Sequence, residues 1–248
     1  MTQARAMATR ALQLDPNLPE AHTSLAMVKA LYDWDWSGAE AEFRRAIELN
    51  PGAATAHHWL GVHLNGQGRR REAETELNRA LELDPLSRII NVNAAYPAHF
   101  NGDYAAAERL YRRALDLDPG FVVAHEDIAL LYEQTGRPAE AAREIAIALR
   151  LSNEAGLAGQ FEAAPGYLAK LKLLREHRIS EARTQYVAPM VIAELSARLG
   201  DADQAFHWLD RALEQRAAPL VYLKVDPRYR LIRLDPRFAV VLRKIGLN

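Results

Sequence analysis

Along most of the chain, small and aliphatic residues return every three or four positions between charged ones, which is the spacing of amphipathic helices rather than strands. The helices are short and regularly punctuated. Leu14-Asp15-Pro16, Leu49-Asn50-Pro51, Leu83-Asp84-Pro85 and Leu117-Asp118-Pro119 recur at intervals of 35, 34 and 34 residues. Ala39, Ala73, Ala107 and Ala141 keep the same beat, as do Ala46, Ala80, Ala114 and Ala148, and as do Gly68, Gly102 and Gly136. A fixed period of this length marks a solenoid of stacked units. Each period resolves into two helices, one before the glycine and one running from just after it to the proline. The glycine permits a tight interhelical turn, the alanines allow close helix approach, and the proline closes one unit and opens the next.

Ala4, Ala8, Ala11 and Pro16 fall in phase as a second helix with no first helix before it, so residues 1–18 read as a half repeat. That start suggests an internal Met1, a truncated gene model or the edge of an excised domain; the alternative is a helix that serves as its own cap. Four full repeats are expected over 19–153. Gly136 to Gly200, Ala141 to Ala205 and Ala148 to Ala212 are each 64 residues apart, four short of two periods, so one repeat has lost about a helical turn. The loss falls in 154–185, where Gly156, Gly159, Pro165 and Gly166 interrupt the pattern before a basic helix near 168–176. A last repeat-like unit spans 186–219. In 220–248, Asp226-Pro227 and Asp235-Pro236 predict two short capping helices, each opened by an Asp cap and a first-turn proline.

Residues 54–87 carry a recognisable pattern: His57 in an aromatic slot, Leu60-Gly61, Leu64, then Ala73, Leu77, Ala80 and Pro85. Ala107, Tyr111, Ala114 and Pro119 repeat its second half, while Asp33-Trp34-Asp35-Trp36 and one extra residue replace the glycine turn of the first full unit. This pattern resembles the tetratricopeptide repeat (TPR) family and implies an all-α, right-handed α-solenoid of helix-turn-helix repeats. The Asp-Trp-Asp-Trp turn, the Leu-Asp-Pro junctions, the Tyr186-Val187-Ala188-Pro189 stretch and Asp235-Pro236-Arg237-Phe238 are further similar to the C-terminal repeat regions of bacterial signalling and transcriptional regulators. No effector domain accompanies them, so no such activity carries over.

Composition narrows the function more than it names it. A hydrophobic content of 49% supports a packed core, and 31 Lys and Arg against 32 Asp and Glu leave no global field to draw in nucleic acid or an anionic membrane. Residues 216–248 hold eight Lys or Arg against Asp226 and Asp235, which reads as a solvated cap rather than a nucleic-acid patch. There is no cysteine, hence no disulfide, thiolate nucleophile or Cys-ligated metal. No apolar run reaches the ~20 residues of a membrane span, and a cytoplasmic location is the simpler expectation.

Candidate chemistry is sparse. His57, His58 and His63 share a helix, but their spacings of one, five and six residues miss the four-residue spacing of a helical zinc pair, and His22, His99, His125, His177 and His207 stand alone. Glu72, Glu74 and Glu76 read as a solvated helix face, and no phosphate loop or nucleophile elbow is present. No catalytic, cofactor or metal residue is therefore expected, and the chain is not expected to be an enzyme. Trp34 and Trp36 are expected to pack on the adjoining hairpin, and Asp33 and Asp35 to cap the following helix.

What remains is binding. The resemblance implies a concave face made by the first helices of the repeats, and its register selects Thr55, His58 and Val62, then Val92, Tyr96, His99 and Phe100, then Val123, Glu126, Leu130 and Glu133. The strip of Val92, Tyr96 and Phe100 suits an apolar side chain of a protein or peptide segment, unless it packs on the neighbouring repeat instead. Pro97 within that helix frees the Asn93 carbonyl and predicts a kink. Of the residues that some family members use to clamp a terminal carboxylate, only Asn93 is matched. The expected role is a peptide-binding scaffold, either an adaptor or the sensory arm of a larger regulator. Self-association through the open N-terminal half repeat, giving a homo-oligomer, is the alternative.

Overall fold

The computed structural model describes residues 2–247, and among them it contains helices and turns with no β-strand. Helix α1 (Thr2–Leu14) precedes four hairpins: α2 (Pro19–Val28) with α3 (Trp36–Leu49), α4 (Ala54–Gly66) with α5 (Arg70–Leu83), α6 (Arg88–Asn101) with α7 (Tyr104–Leu117), and α8 (Val122–Gln134) with α9 (Pro138–Leu151). A shorter hairpin of α10 (Ala155–Ala163) and α11 (Tyr167–Glu181) follows, then α12 (Pro189–Arg198) with α13 (Ala202–Glu214), and finally α14 (Pro236–Lys244). The protein is an all-α solenoid of helix-turn-helix repeats. Helices α2, α4, α6 and α8 lie side by side and form its inner face.

The periodic alanines mark where helices touch. Ala39, Ala73, Ala107, Ala141 and Ala205 have no exposed surface, and neither have Ala46, Ala80, Ala114 and Ala212. Side chains without a γ-carbon there let the helices of a hairpin, and of adjacent hairpins, approach closely. The large residues Phe43, Leu77, Tyr111 and Leu209 occupy the intervening core positions of the second helices, almost fully enclosed.

The extra residue of the first full repeat is absorbed by a π-helical turn at Lys29–Asp33, which continues α2. The left-handed position filled by Gly68, Gly102, Gly136 and Gly200 in other turns is taken there by Trp34, at φ 57°. Asp35 then caps α3 by accepting from the Gly38 N–H at 3.0 Å. Asp33 does not cap that helix, contrary to expectation; it pairs with Arg5 of α1.

Repeat junctions are tied by histidines that the sequence reading left unpartnered. Nε2 of His22, His57 and His125 donates to the carbonyls of Pro16, Pro51 and Pro119 at 3.0, 3.2 and 3.0 Å. Nδ1 of the same rings meets Glu42, Glu76 and Glu144 of the following helix at 2.7, 2.6 and 2.7 Å. Glu76 is therefore not part of a purely solvated face. At the remaining full junction Asn91 Nδ2 donates to the Pro85 carbonyl at 3.2 Å.

The largest departure from the expected picture is the C-terminal segment. After α13 the chain makes two 3-10 turns, Ala218–Tyr222 and Pro227–Tyr229, which run back over the inner face. A Cβ added to Gly66 of α4 would lie 2.4 Å from the Val221 carbonyl oxygen, so these backbones touch. Tyr222 meets the Tyr96 ring edge-on at 5.6 Å. Arg216 donates to the Tyr32 carbonyl at 2.6 Å and lies 5.0 Å from the Tyr32 and Trp34 ring centres. Trp36 Nε1 donates to the Ile245 carbonyl at 2.7 Å. The two tryptophans thus pack against the C-terminal cap and not only on the adjoining hairpin, because an inward-curving solenoid brings its last unit back to its first. The cap expected from the basic run is solvated on its outer side, where Arg216, Arg230, Arg237, Arg243 and Lys244 are exposed, but packed on its inner side: Leu220, Leu223 and Tyr229 are fully buried, and Arg228, Arg233, Arg237 and Lys244 bond to Glu194, the Asp226 carbonyl, Asp203 and Asp210.

Candidate functional site

The C-terminal segment covers the first half of the inner face, and this cover together with the packing of the repeats on one another decides where each expected binding residue falls. His58, Val62, Val92 and His99 are buried, at 4%, 3%, 0% and 1% exposure. His58 Nε2 faces Asn93 Nδ2 at 2.7 Å, His99 Nδ1 faces the Tyr111 hydroxyl at 2.8 Å, and Val62 borders Val221. Burial pushes His58 and His63 down to about 4 and His99 to about 3, so all three are neutral near pH 7. His63 donates to the Trp36 carbonyl at 3.0 Å, so the three histidines of α4 serve three separate partners rather than one centre. Thr55 is exposed at the start of α4. Helix α6 runs unbroken through Pro97.

The second half of the inner face remains open. There, a cavity of about 360 Å3 lies between α6, α8, α9, α11, α12 and the C-terminal segment. It brings together Tyr96, Phe100, Val123, Glu126 and Leu130 from the expected set. Glu133 stands at its edge, accepting from Arg198 Nε at 3.0 Å and from the Tyr167 hydroxyl at 2.7 Å. The apolar wall is continued by Leu149, Leu174 and Leu195, with Val191 of α12 39% exposed.

Sequence reasoning missed the polar half of this cavity. Arg228 Nη1 donates to Glu194 at 2.6 Å and its Nε to Asp226 at 3.1 Å. Arg178 reaches Glu154 and Glu181, both at 2.7 Å. The Tyr96 hydroxyl donates to Asp127 at 3.1 Å. Burial pushes the Asp127 carboxyl up to about 7, against the opposing pull of Arg228 and of the Tyr96 bond. Glu126 is reached by solvent, yet the surrounding walls and the nearby Glu194 hold its carboxyl above the usual range. A signal for Glu194 did exist, since the 64-residue offset that restores the repeat phase carries Leu130 onto Glu194. A further 34 residues carry Glu194 onto its own partner Arg228, whereas the repeat pattern assigns no site role to Tyr222 or Asp226.

Among the described residues no helix is long and apolar enough to cross a membrane. Two tetratricopeptide repeat family models match the chain, over residues 30–88 and 101–154. No curated protein matches it in sequence. Similar solved structures include PilW, a type IV pilus biogenesis factor, at 19% identity and TM-score 0.58, covering 93% of this chain and 90% of that one. PilF of Pseudomonas aeruginosa is 21% identical with TM-score 0.54, covering 83% and 95%. YrrB, a TPR protein with an unusual peptide-binding site, is 15% identical with TM-score 0.50, covering 88% and 96%. At these identities the likeness speaks for the fold alone, and it agrees with the family matches and with the 34-residue beat of the hairpins: the chain carries tetratricopeptide repeats, matched over residues 30–88 and 101–154.

Proposed function

We propose that this protein is a non-enzymatic scaffold that binds a short segment of another protein in the cavity between α6, α8, α12 and the C-terminal turns. The observation that carries this reading is the cavity itself. The rest of the inner face is filled by the chain's own C-terminal segment, and the open space of about 360 Å3 falls within the ~300–1,000 Å3 of ligand pockets. Its apolar walls and few convergent charged groups suit one or two side chains of an extended or helical peptide. That YrrB is described as having a peptide-binding site supports such a use of the fold. The Asp-Trp-Asp-Trp and Asp-Pro-Arg-Phe strings support a place as an adaptor or as the regulatory arm of a bacterial signalling protein.

The test is a display selection of random linear peptides on the full chain, followed by affinity measurement on a Val191→Trp variant. Val191 is partly exposed at the cavity wall, so an indole there fills space without disturbing the core. Selected peptides are expected to lose about tenfold or more in affinity. Peptides that bind both proteins equally would move the binding function away from this cavity.

A further inference from the structure

Inside the cavity the positive charges are already taken and one negative charge is not. Arg178 is held by Glu154 and Glu181, Arg198 by Glu133, and Arg228 by Glu194 and Asp226. Asp127 accepts from Tyr96. Glu126, one turn before Leu130 on α8, lines the same space and has no hydrogen bond or ion pair among the described residues. An anionic ligand would meet Glu126, Asp127, Glu194 and Asp226 with no uncommitted guanidinium to receive it. A cation meets the opposite: a carboxylate in a walled site, whose loss of hydration outweighs the through-space pull of Arg228, Arg178 and Arg198, each already bonded elsewhere.

The aromatic side of the cavity points the same way. Tyr96 and Phe100 stack at 5.3 Å between ring centres with planes 12° apart, and Tyr222 stands edge-on to Tyr96 at 86°. All three rings line the cavity. Aromatic rings that line the same cavity as a carboxylate are surroundings that favour an alkylammonium or guanidinium on an apolar stem, through cation–π attraction and burial of the methylenes.

Resting on the peptide-binding reading, we propose that the cavity selects a lysine or arginine side chain of the bound segment, with Glu126 as its counter-ion and Tyr96, Phe100 and Tyr222 as the wall for its stem. The charge supplies specificity and the apolar walls supply most of the contact.

The experiment takes the leading peptide from the display selection, and a copy with norleucine in place of its lysine or arginine. Both are titrated against the wild-type chain, Glu126→Gln and Val191→Trp by isothermal calorimetry, with circular dichroism to confirm that each variant is folded. The expected result is a cationic residue beside apolar ones in the selected sequences. Norleucine and Glu126→Gln should each weaken binding about tenfold, and the two together should weaken it little more than either alone, because both remove the same pair. Peptides that lose affinity on Val191→Trp but carry no cation, or that tolerate norleucine or Glu126→Gln, would overturn the cation inference while leaving the peptide site standing. If no selected peptide responds to Val191→Trp, the peptide-binding reading falls and the cation inference falls with it.

Discussion

His22, His57 and His125 each stand where the repeat pattern puts an aromatic ring, and each adds two bonds that a phenyl ring cannot make. One fixes the proline carbonyl of the preceding junction and the other reaches a glutamate on the partner helix. The bond to Glu144 raises His125 above its ordinary value, outweighing partial burial. A raised histidine contributes stability that is complete below its unfolded value near ~6.5 and is lost as pH rises through the higher folded value. The buried His58, His63 and His99 act in the opposite direction: they are depressed, so the unfolded chain binds more protons and stability falls as pH drops below ~6.5 toward about 4 and about 3. Urea titrations across this range should show a loss on the order of 2 kcal/mol for each of the three by pH ~5, and a flat acid limb would contradict their burial. Glu144→Gln should flatten the alkaline limb alone. At this scale the sequence was half legible. The aromatic slot was visible for His57, but the glutamates 19 or 20 residues on lie on another helix, and single-helix spacing rules do not look there.

Helix hairpins were the most legible part of the molecule, because turn glycines, cap residues and alanine contacts all keep one period. Asp103 and Asp201 cap α7 and α13 by accepting from the N–H groups of Ala106 and Gln204, as Asp35 does for α3. Asp103→Ala should lower the unfolding free energy by about 1 kcal/mol, and a change within error in urea denaturation would show that solvent replaces the cap at no cost. The 154–185 hairpin was located by its broken phase. Its second helix nevertheless runs from Tyr167 to Glu181, further than the basic stretch near 168–176 suggested, since Leu171 and Leu174 anchor it to the core shared with α9 and α12. Elements after 215 were the least legible. Asp-Pro correctly announced a helix start at Asp235 and only a single 3-10 turn at Asp226, and nothing in either dipeptide encodes that the segment turns inward.

A solenoid normally gains its stability from neighbour contacts alone, so its ends fray independently. Here Arg216, Val221 and Ile245 bind the first two hairpins of the same chain and Tyr222 the third, across separations as large as 209 residues. Gly66→Ala tests that closure directly, because the added methyl would meet the Val221 carbonyl at 2.4 Å. The expected cost is about 1–3 kcal/mol, together with faster amide exchange over residues 218–229 than elsewhere. Unchanged exchange there would mean that the contact is loosely held. The proposed binding cavity shares this geometry, since Tyr222, Asp226 and Arg228 form one wall and α6 and α8 another. A ligand seated between them favours the closed arrangement by RT ln(1 + L/Kd), where L is its free concentration. Its arrival should therefore be felt at the distant bond between Trp36 and Ile245, as slower exchange of that one indole proton with solvent far from where the ligand sits.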